Sequence, residues 1–274
     1  MKNLVPSGGR KSHNQPLVVS LSNHEQPTLR QAQGERVRSG LVYADLRDQV
    51  LAVKDRLLLV YERLFDAFGP QHWWPGETPF EVIIGAILTQ SAAWGNVEKA
   101  ISNLKRANAL DPGRIRDMPL QELALLLYPS GYYNAKAKKV KAFVQRLGEQ
   151  FQDELGKLLA LDEASLREEL LSIYGIGEET ADSIMLYAAG HPTFVVDAYS
   201  RRIVSRLGLA PAKESYRSYQ GLFTESLPKD TGLFNEYHAL LVRLGKEVCR
   251  KEPLCAQCCL KDICPTGLSR LRQA

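Results

Sequence analysis

A chain of 274 residues with 35 basic and 31 acidic side chains carries a formal charge of only +4, which permits a nucleic-acid partner without demanding one. That length can bury one large core or two smaller lobes. The longest apolar run, Val82 to Leu88, falls far short of the ~20 residues a membrane span needs, and the first residues lack the charged, apolar, then small-residue order of an export signal. A cytoplasmic protein with no membrane partner is therefore expected.

Residues 1–40 are dominated by Pro, Ser, Gly, Asn, Gln and Arg, and their only apolar stretch is Leu17-Val18-Val19. Too little apolar surface is present to offset chain-ordering entropy, so a disordered tail is expected there. From Leu41 onward the pattern is almost wholly helical. Thr78-Pro79-Phe80-Glu81 opens a helix with a Thr cap, Pro at the first helical position and Glu placed to close a capping box. Phe80 to Leu88 is apolar nearly all round, as suits a helix at the centre of a bundle. All three tryptophans flank this helix, in His72-Trp73-Trp74-Pro75 before it and Leu88-Thr89-Gln90-Ser91-Ala92-Ala93-Trp94 at its end.

Ala137, Val140, Val144 and Leu147 mark the next helical stripe. Lys136, Lys138, Lys139, Lys141 and Arg146 lie on the same segment, a basic stretch that could meet phosphates or simply face solvent. Leu166–Ile173 and Thr180–Ala189 read as two short helices joined by Tyr174-Gly175-Ile176-Gly177, with Gly190 and Pro192 ending the second. Two glycines around one apolar residue allow a sharp turn that aims amide N–H groups outward at a helix N-terminus, an arrangement suited to a phosphodiester. Phe194-Val195-Val196-Asp197 then delivers one carboxylate ahead of Arg201-Arg202. A last stripe, Leu240, Leu241, Leu244 and Val248, runs into Cys249-x5-Cys255-x2-Cys258-x5-Cys264, with Cys259 the only further cysteine. Thiols grouped this closely argue for a metal centre. Tetrahedral zinc and a [4Fe–4S] cube both take four thiolates. A single Cys-x2-Cys knuckle, the short loops and Pro265 after the last cysteine favour the cube, and Cys259 could replace Cys258.

Gly-Ile-Gly, then about twenty residues, then Val-Val-Asp, then four cysteines: this order resembles the endonuclease III superfamily of helix–hairpin–helix DNA glycosylases. The similarity runs roughly from Leu57 to Pro265, with a first cysteine gap one residue shorter than in endonuclease III itself. The resemblance implies an all-α fold of two helical lobes with a DNA-binding cleft between them. Residues 80–190 would form the bundle lobe with the hairpin, and 41–79 with 191–274 the discontinuous cluster lobe. It implies a [4Fe–4S] cluster on Cys249, Cys255, Cys258 and Cys264, structural rather than redox-active, which presents Arg250, Lys251 and Lys261 to the DNA backbone. Asp197 would be the catalytic carboxylate, Gly175, Ile176 and Gly177 the grip on the DNA backbone, and Gln90 the side chain that fills the gap left by a flipped nucleotide. The partner would be double-stranded DNA with a damaged base, bound by a monomer.

Bifunctional members carry a lysine nucleophile just before Thr-Ala in the hairpin, where this chain has Glu179. A carboxylate cannot form a Schiff base, so a monofunctional glycosylase of base excision repair without strong lyase activity is expected. His72–Pro75, Trp94 and Gly131-Tyr132-Tyr133-Asn134-Ala135-Lys136-Ala137 resemble the 3-methyladenine DNA glycosylase III branch. There the residues matching Trp74 and Trp94 line the base pocket, which implies a cationic alkylated purine stacked between them. Lys246 matches a lysine of the same branch. A mismatch glycosylase for adenine or thymine, a catalytically idle iron–sulfur DNA-binding protein and a zinc-ribbon binding module are the alternatives.

Overall fold

The computed structural model describes residues 52–273; the segment 1–40 and the first part of 41–79 lie outside the described residues. A helix over 52–68 (α1) is followed by α2 (Pro79–Thr89), α3 (Trp94–Arg106), α4 (Pro112–Asp117), α5 (Leu120–Leu126), α6 (Tyr133–Phe151) and α7 (Leu155–Leu159). Then come α8 (Glu163–Ser172), α9 (Glu178–Tyr187), α10 (Ala198–Arg206), α11 (Tyr216–Thr224), α12 (Thr231–Glu247) and α13 (Pro265–Gln273). No strand occurs among the described residues. The protein is all-α, in two helical lobes.

Two cores underlie this architecture. One gathers Ile83 and Ile87 of α2, Phe143 of α6, Leu170 of α8 and Ile184 and Met185 of α9. The other joins Leu57 and Leu64 of α1 to Phe194, Phe223 of α11 and Phe234, Tyr237 and Leu240 of α12. Phe194 and Phe223 stack with centroids 3.7 Å apart, and Phe234 and Tyr237 meet Phe194 edge-on. Each such side chain contributes about 1.5–3 kcal/mol relative to leaving it in water. The Tyr237 hydroxyl donates to the Leu57 carbonyl at 2.8 Å, which ties α12 to α1.

α2 is buried from Phe80 to Leu88, as its all-round apolar sequence requires. Its Thr78 cap accepts from the Glu81 N–H at 3.2 Å, but the expected reciprocal bond does not form. The Glu81 carboxylate accepts instead from the Glu77 N–H at 3.2 Å and pairs with Lys105 of α3 at 2.9 Å; a charged partner on a packed neighbour outcompetes a local amide. α8 begins at Glu163, earlier than the apolar pattern marks, because Asp162 accepts from both the Ala164 and Ser165 amides.

The basic stretch of α6 is mostly consumed inside the protein. Lys136 is 2% exposed and donates to the Leu88 carbonyl at 2.8 Å and the Ser130 carbonyl at 2.6 Å, closing the C-terminal end of α2. Burial, assisted by the Lys139 charge, lowers its ammonium to about 8. Lys141 donates to the Arg116 carbonyl at 2.7 Å, Arg146 pairs with Glu169 of α8, and Lys139 reaches the Gln90 amide oxygen. Lys138 remains exposed. Neither alternative, a phosphate-facing strip or a solvated face, describes most of this segment: unpaired carbonyls at helix ends and one acidic neighbour take the ammonium and guanidinium groups first.

Asp182 of α9, fully buried, is held by Arg167 of α8 at 3.0 Å and Gln220 of α11 at 2.8 Å. Gln220 also donates to the Phe194 carbonyl at 3.0 Å. This polar knot fixes the hairpin against the segment that leads to Asp197.

Candidate active site

A cleft of about 940 Å³ lies between the lobes. The lobe built on α2 and α9 supplies Trp74, Gln90, Trp94, Gly175, Gly177 and Glu179, and the other supplies Asp197, Arg201, His238 and Lys246. Residues singled out over more than a hundred positions of sequence thus share one solvent-filled space.

Asp197 caps α10. Its Oδ1 accepts from the Ser200 N–H at 2.7 Å, and the Ser200 hydroxyl accepts from the Asp197 N–H at 2.9 Å, a complete capping box. The cap role and a place in the cleft lining coexist, because the cap engages Oδ1 and leaves Oδ2 outside it. His238 Nε2 lies 3.8 Å from Oδ2.

The hairpin places Glu179 opposite. α9 starts at Glu178, two residues earlier than expected, with Gly177 as a cap that has no side chain to accept a bond. Its first-turn amides are left for an anion. Gly175 has φ +84°, and an added Cβ there would lie 2.3 Å from Lys139 Cγ; both conformation and space demand glycine. Ile176 departs from its expected place at the DNA surface. Its side chain is 5% exposed in the bundle core, and its N–H donates to the Ile173 carbonyl at 3.1 Å, so it seats the turn. Gln90 Nε2 donates to the Gly175 carbonyl and to Thr180 Oγ1, both at 2.9 Å, which pins the hairpin to the end of α2. Glu179 stays open to solvent at the cleft mouth. The cleft walls nevertheless crowd its carboxyl, and this desolvation, with the Asp197 charge, pushes it up to about 7 against the pull of Arg201.

The tryptophans form one wall. Trp74 meets Trp94 edge-to-face, with centroids 5.1 Å apart and planes at 85°, and leans on Tyr187 at 5.2 Å. It lies against α2 at Gly85, where an added Cβ would stand 3.3 Å from the indole. A base sandwiched between two rings needs parallel planes roughly 7 Å apart, twice a carbon contact distance. The expected stacking between Trp74 and Trp94 is therefore absent from this arrangement; a base would meet the face of one ring and the edge of the other. Trp73 has its own cation, since Lys246 Nζ lies 5.7 Å from its ring centre.

His238 was not anticipated. It is 5% exposed and holds Tyr187 Oη at 2.5 Å through Nδ1. The available signal was a lone histidine on the apolar face of α12, in register with Leu241 and Gly245.

Away from the cleft, Cys249, Cys255, Cys258 and Cys264 line one small cavity, and Cys259 is outside its lining. The Leu260 N–H donates to Cys258 Sγ at 3.4 Å and Arg206 to Cys249 Sγ at 3.2 Å. No group of three or more His, Cys, Asp or Glu side chains among the described residues is gathered tightly enough for a single ion. An all-sulfur set around a shared space fits an iron–sulfur cluster.

Known proteins share the sequence and the fold of this chain. The family model for HhH-GPD superfamily base excision DNA repair proteins matches residues 84–229. A protein of Methanocaldococcus jannaschii provisionally assigned as a DNA repair glycosylase is 45% identical over 207 residues, which cover 75% of this chain and 94% of that protein. The structure of H. pylori 3-methyladenine DNA glycosylase (MagIII) bound to 1,N6-ethenoadenine superposes with a TM-score of 0.61 at 28% identity, covering 72% of this chain and 97% of the other. A trapped endonuclease III–DNA covalent intermediate gives 0.70 at 24% identity, covering 80% and 99%.

Proposed function

We propose that this chain, which belongs to the HhH-GPD superfamily of base excision DNA repair proteins, is a monofunctional DNA N-glycosylase that removes an alkylated purine such as 3-methyladenine from double-stranded DNA. The observation that carries this reading is the shared cleft, in which the carboxylate of Asp197 faces an aromatic wall and Glu179, not an amine, opens the hairpin helix.

In this reading the first amides of α9 and the turn at Gly175 and Gly177 hold the phosphodiester, with Ile176 anchoring them from the core. Gln90, at the junction of α2 and the hairpin, would leave its partners Gly175 and Thr180 to fill the space vacated by the extruded nucleotide. The flipped base rests against Trp74 and Trp94. An N-alkylated purine is cationic, so an indole face attracts it by roughly 0.5–2 kcal/mol, and it departs as a neutral base that needs no proton. Asp197 stabilises the positive charge that develops at C1′ as the C1′–N bond breaks, and water adds there and loses a proton to leave an abasic site. Glu179 cannot form the imine through which an amine would cleave the strand. The monomer is the working unit: residues 80–185 with Trp74 packed on them form one lobe, and α1 with the segment from Leu186 onward forms the other, so the expected division at 79/80 and 190/191 shifts at both ends.

Cys249, Cys255, Cys258 and Cys264 would hold a [4Fe–4S] cluster, whose contribution is to cross-link the C-terminal loop and so present Arg250, Lys251 and Lys261 to DNA. Cys255→Ala is expected to lose iron and soluble yield together, with the visible absorption of an iron–sulfur protein; full iron content at unchanged stability would remove Cys255 from the ligand set.

The deciding experiment is a panel of duplexes, each with one lesion, scored for released base and for strand breaks before and after hot alkali. Alkylpurine duplexes should release base and break only after alkali. Processing of G·T or A·8-oxoguanine duplexes with no release from alkylated ones would replace this reading by that of a mismatch glycosylase.

A further inference from the structure

His238 is the one ionisable group that reaches the cleft from a nearly complete burial and leaves a polar atom without a partner. Its Nε2 makes no hydrogen bond among the described residues, although it lies 3.8 Å from Asp197 Oδ2, beyond hydrogen-bond range but within a small movement of it. Three helices meet here: α9 brings Tyr187, α10 is capped by Asp197, and α12 carries His238.

The proton positions follow from the surroundings. Tyr187 is buried and its phenol is pushed well above the ordinary range, by burial first and the Asp197 charge second. It therefore keeps its proton and donates it to His238 Nδ1 at 2.5 Å. Burial also lowers the imidazole, with Lys246 acting in the same sense and Asp197 opposing, so the ring stays neutral. A neutral ring whose Nδ1 accepts must carry its hydrogen on Nε2. That hydrogen faces the carboxylate oxygen left over by the helix cap.

We propose that His238 is a positioning residue for Asp197: with a nucleotide in the cleft, its Nε2–H closes onto Oδ2 and fixes the carboxylate plane against the sugar, while Tyr187 enforces the required tautomer. Oδ1 is held from one side by the Ser200 amide and Oδ2 from the other, so both oxygens are oriented before charge develops. Misplacing a reacting group by about 1 Å costs on the order of 10²-fold in rate, which sets the size of the effect. This inference rests on Asp197 being the reactive carboxylate, and not on the identity of the lesion.

The test uses the full-length, cluster-loaded protein and methylated duplex DNA under single-turnover conditions. His238→Phe should slow base release by about 10²-fold with binding to a tetrahydrofuran abasic duplex unchanged. His238→Gln, whose amide N–H reaches about as far as the imidazole Nε2, should recover much of that loss. Nitrogen-15 NMR should report the Nε2–H tautomer for His238 from pH 6 to 8, and Tyr187→Phe should replace it with a mixture. An Nδ1–H tautomer in the wild type, or full activity of His238→Phe, would overturn the proposal. If His238→Phe fails to fold, the tautomer and Tyr187→Phe still decide. Asp197→Asn is assayed alongside: wild-type activity there would refute the functional reading itself, whereas an inactive Asp197→Asn beside a fully active His238→Phe would refute only this inference.

Discussion

The two walls of the cleft are built in opposite ways. The aromatic wall comes from a short stretch, Trp73 to Trp94, wrapped around one buried helix. Its rings lock one another through edge-to-face and tilted contacts, and Gly85 lets Trp74 lie on α2. The ionisable wall is collected from α9, α10 and α12, with Glu179, Asp197, His238 and Lys246 spread over most of seventy residues. Its groups are incompletely paired and perturb one another: the Asp197 charge raises Glu179 and opposes the lowering of His238. Frustrated charge of that kind marks a reactive surface, whereas a self-packed aromatic surface suits recognition.

The contrast is broken most directly on the ionisable side. Asp197→Asn keeps a side chain able to cap α10, so folding should survive while base release falls on the order of 10³-fold; binding of an abasic analogue should persist, and a loss of both together would mean that Asp197 matters for structure. On the aromatic side, Trp94→Ala should leave the rate on a good substrate largely intact and erode discrimination between alkylated and normal purines by about 1–3 kcal/mol, read as the ratio of kcat/KM values. A larger effect on rate than on discrimination would reverse the roles of the walls. Glu179→Lys sharpens the comparison by converting the reactive wall: borohydride should trap a covalent adduct with this variant and none with the wild type.

The smallest effect is on stability. Glu179 has a folded-state pKa near 7 against an ordinary 4.5, so the folded protein binds more protons between those values. Stability should therefore decline as pH rises from 4.5 through 7. Melting temperatures at pH 5 and pH 8 should differ more for the wild type than for Glu179→Gln; equal differences would show that Glu179 titrates normally.

Much of this was legible before the structure. The all-round apolar run fixed α2 as a core helix, and two glycines before Thr180 located the hairpin. The cysteine spacing marked the thiol cavity. What was hidden is tertiary competition for charge. Lys136 reads as a surface cation in a basic stretch, yet the open carbonyls of Leu88 and Ser130 draw it inside. Glu81 reads as half of a capping box, yet Lys105 on another helix redirects it. The meeting of His238 with Asp197 joins residues 41 positions apart through the crossing of α10 and α12, and no local periodicity encodes that crossing. The ring geometry of Trp74 and Trp94 was equally out of reach, since spacing brings two rings near a site without setting their planes.

The bond between Tyr237 and Leu57 spans 180 residues, and Arg63 reaches Asp262 across 199. A ribosome adding ~5–20 residues per second would emit Leu57 roughly 9–36 s before Tyr237 exists to meet it. The core from Phe80 to Met185 is complete in one continuous stretch and can close during that interval. α1 must wait with its apolar face uncovered until nearly the last helix is made. Proteolysis of ribosome-stalled chains should therefore find 80–185 protected first and α1 last. The cysteine loop follows α12 along the chain, so any closure around its thiols would come after the core from Phe80 to Met185 has had time to pack.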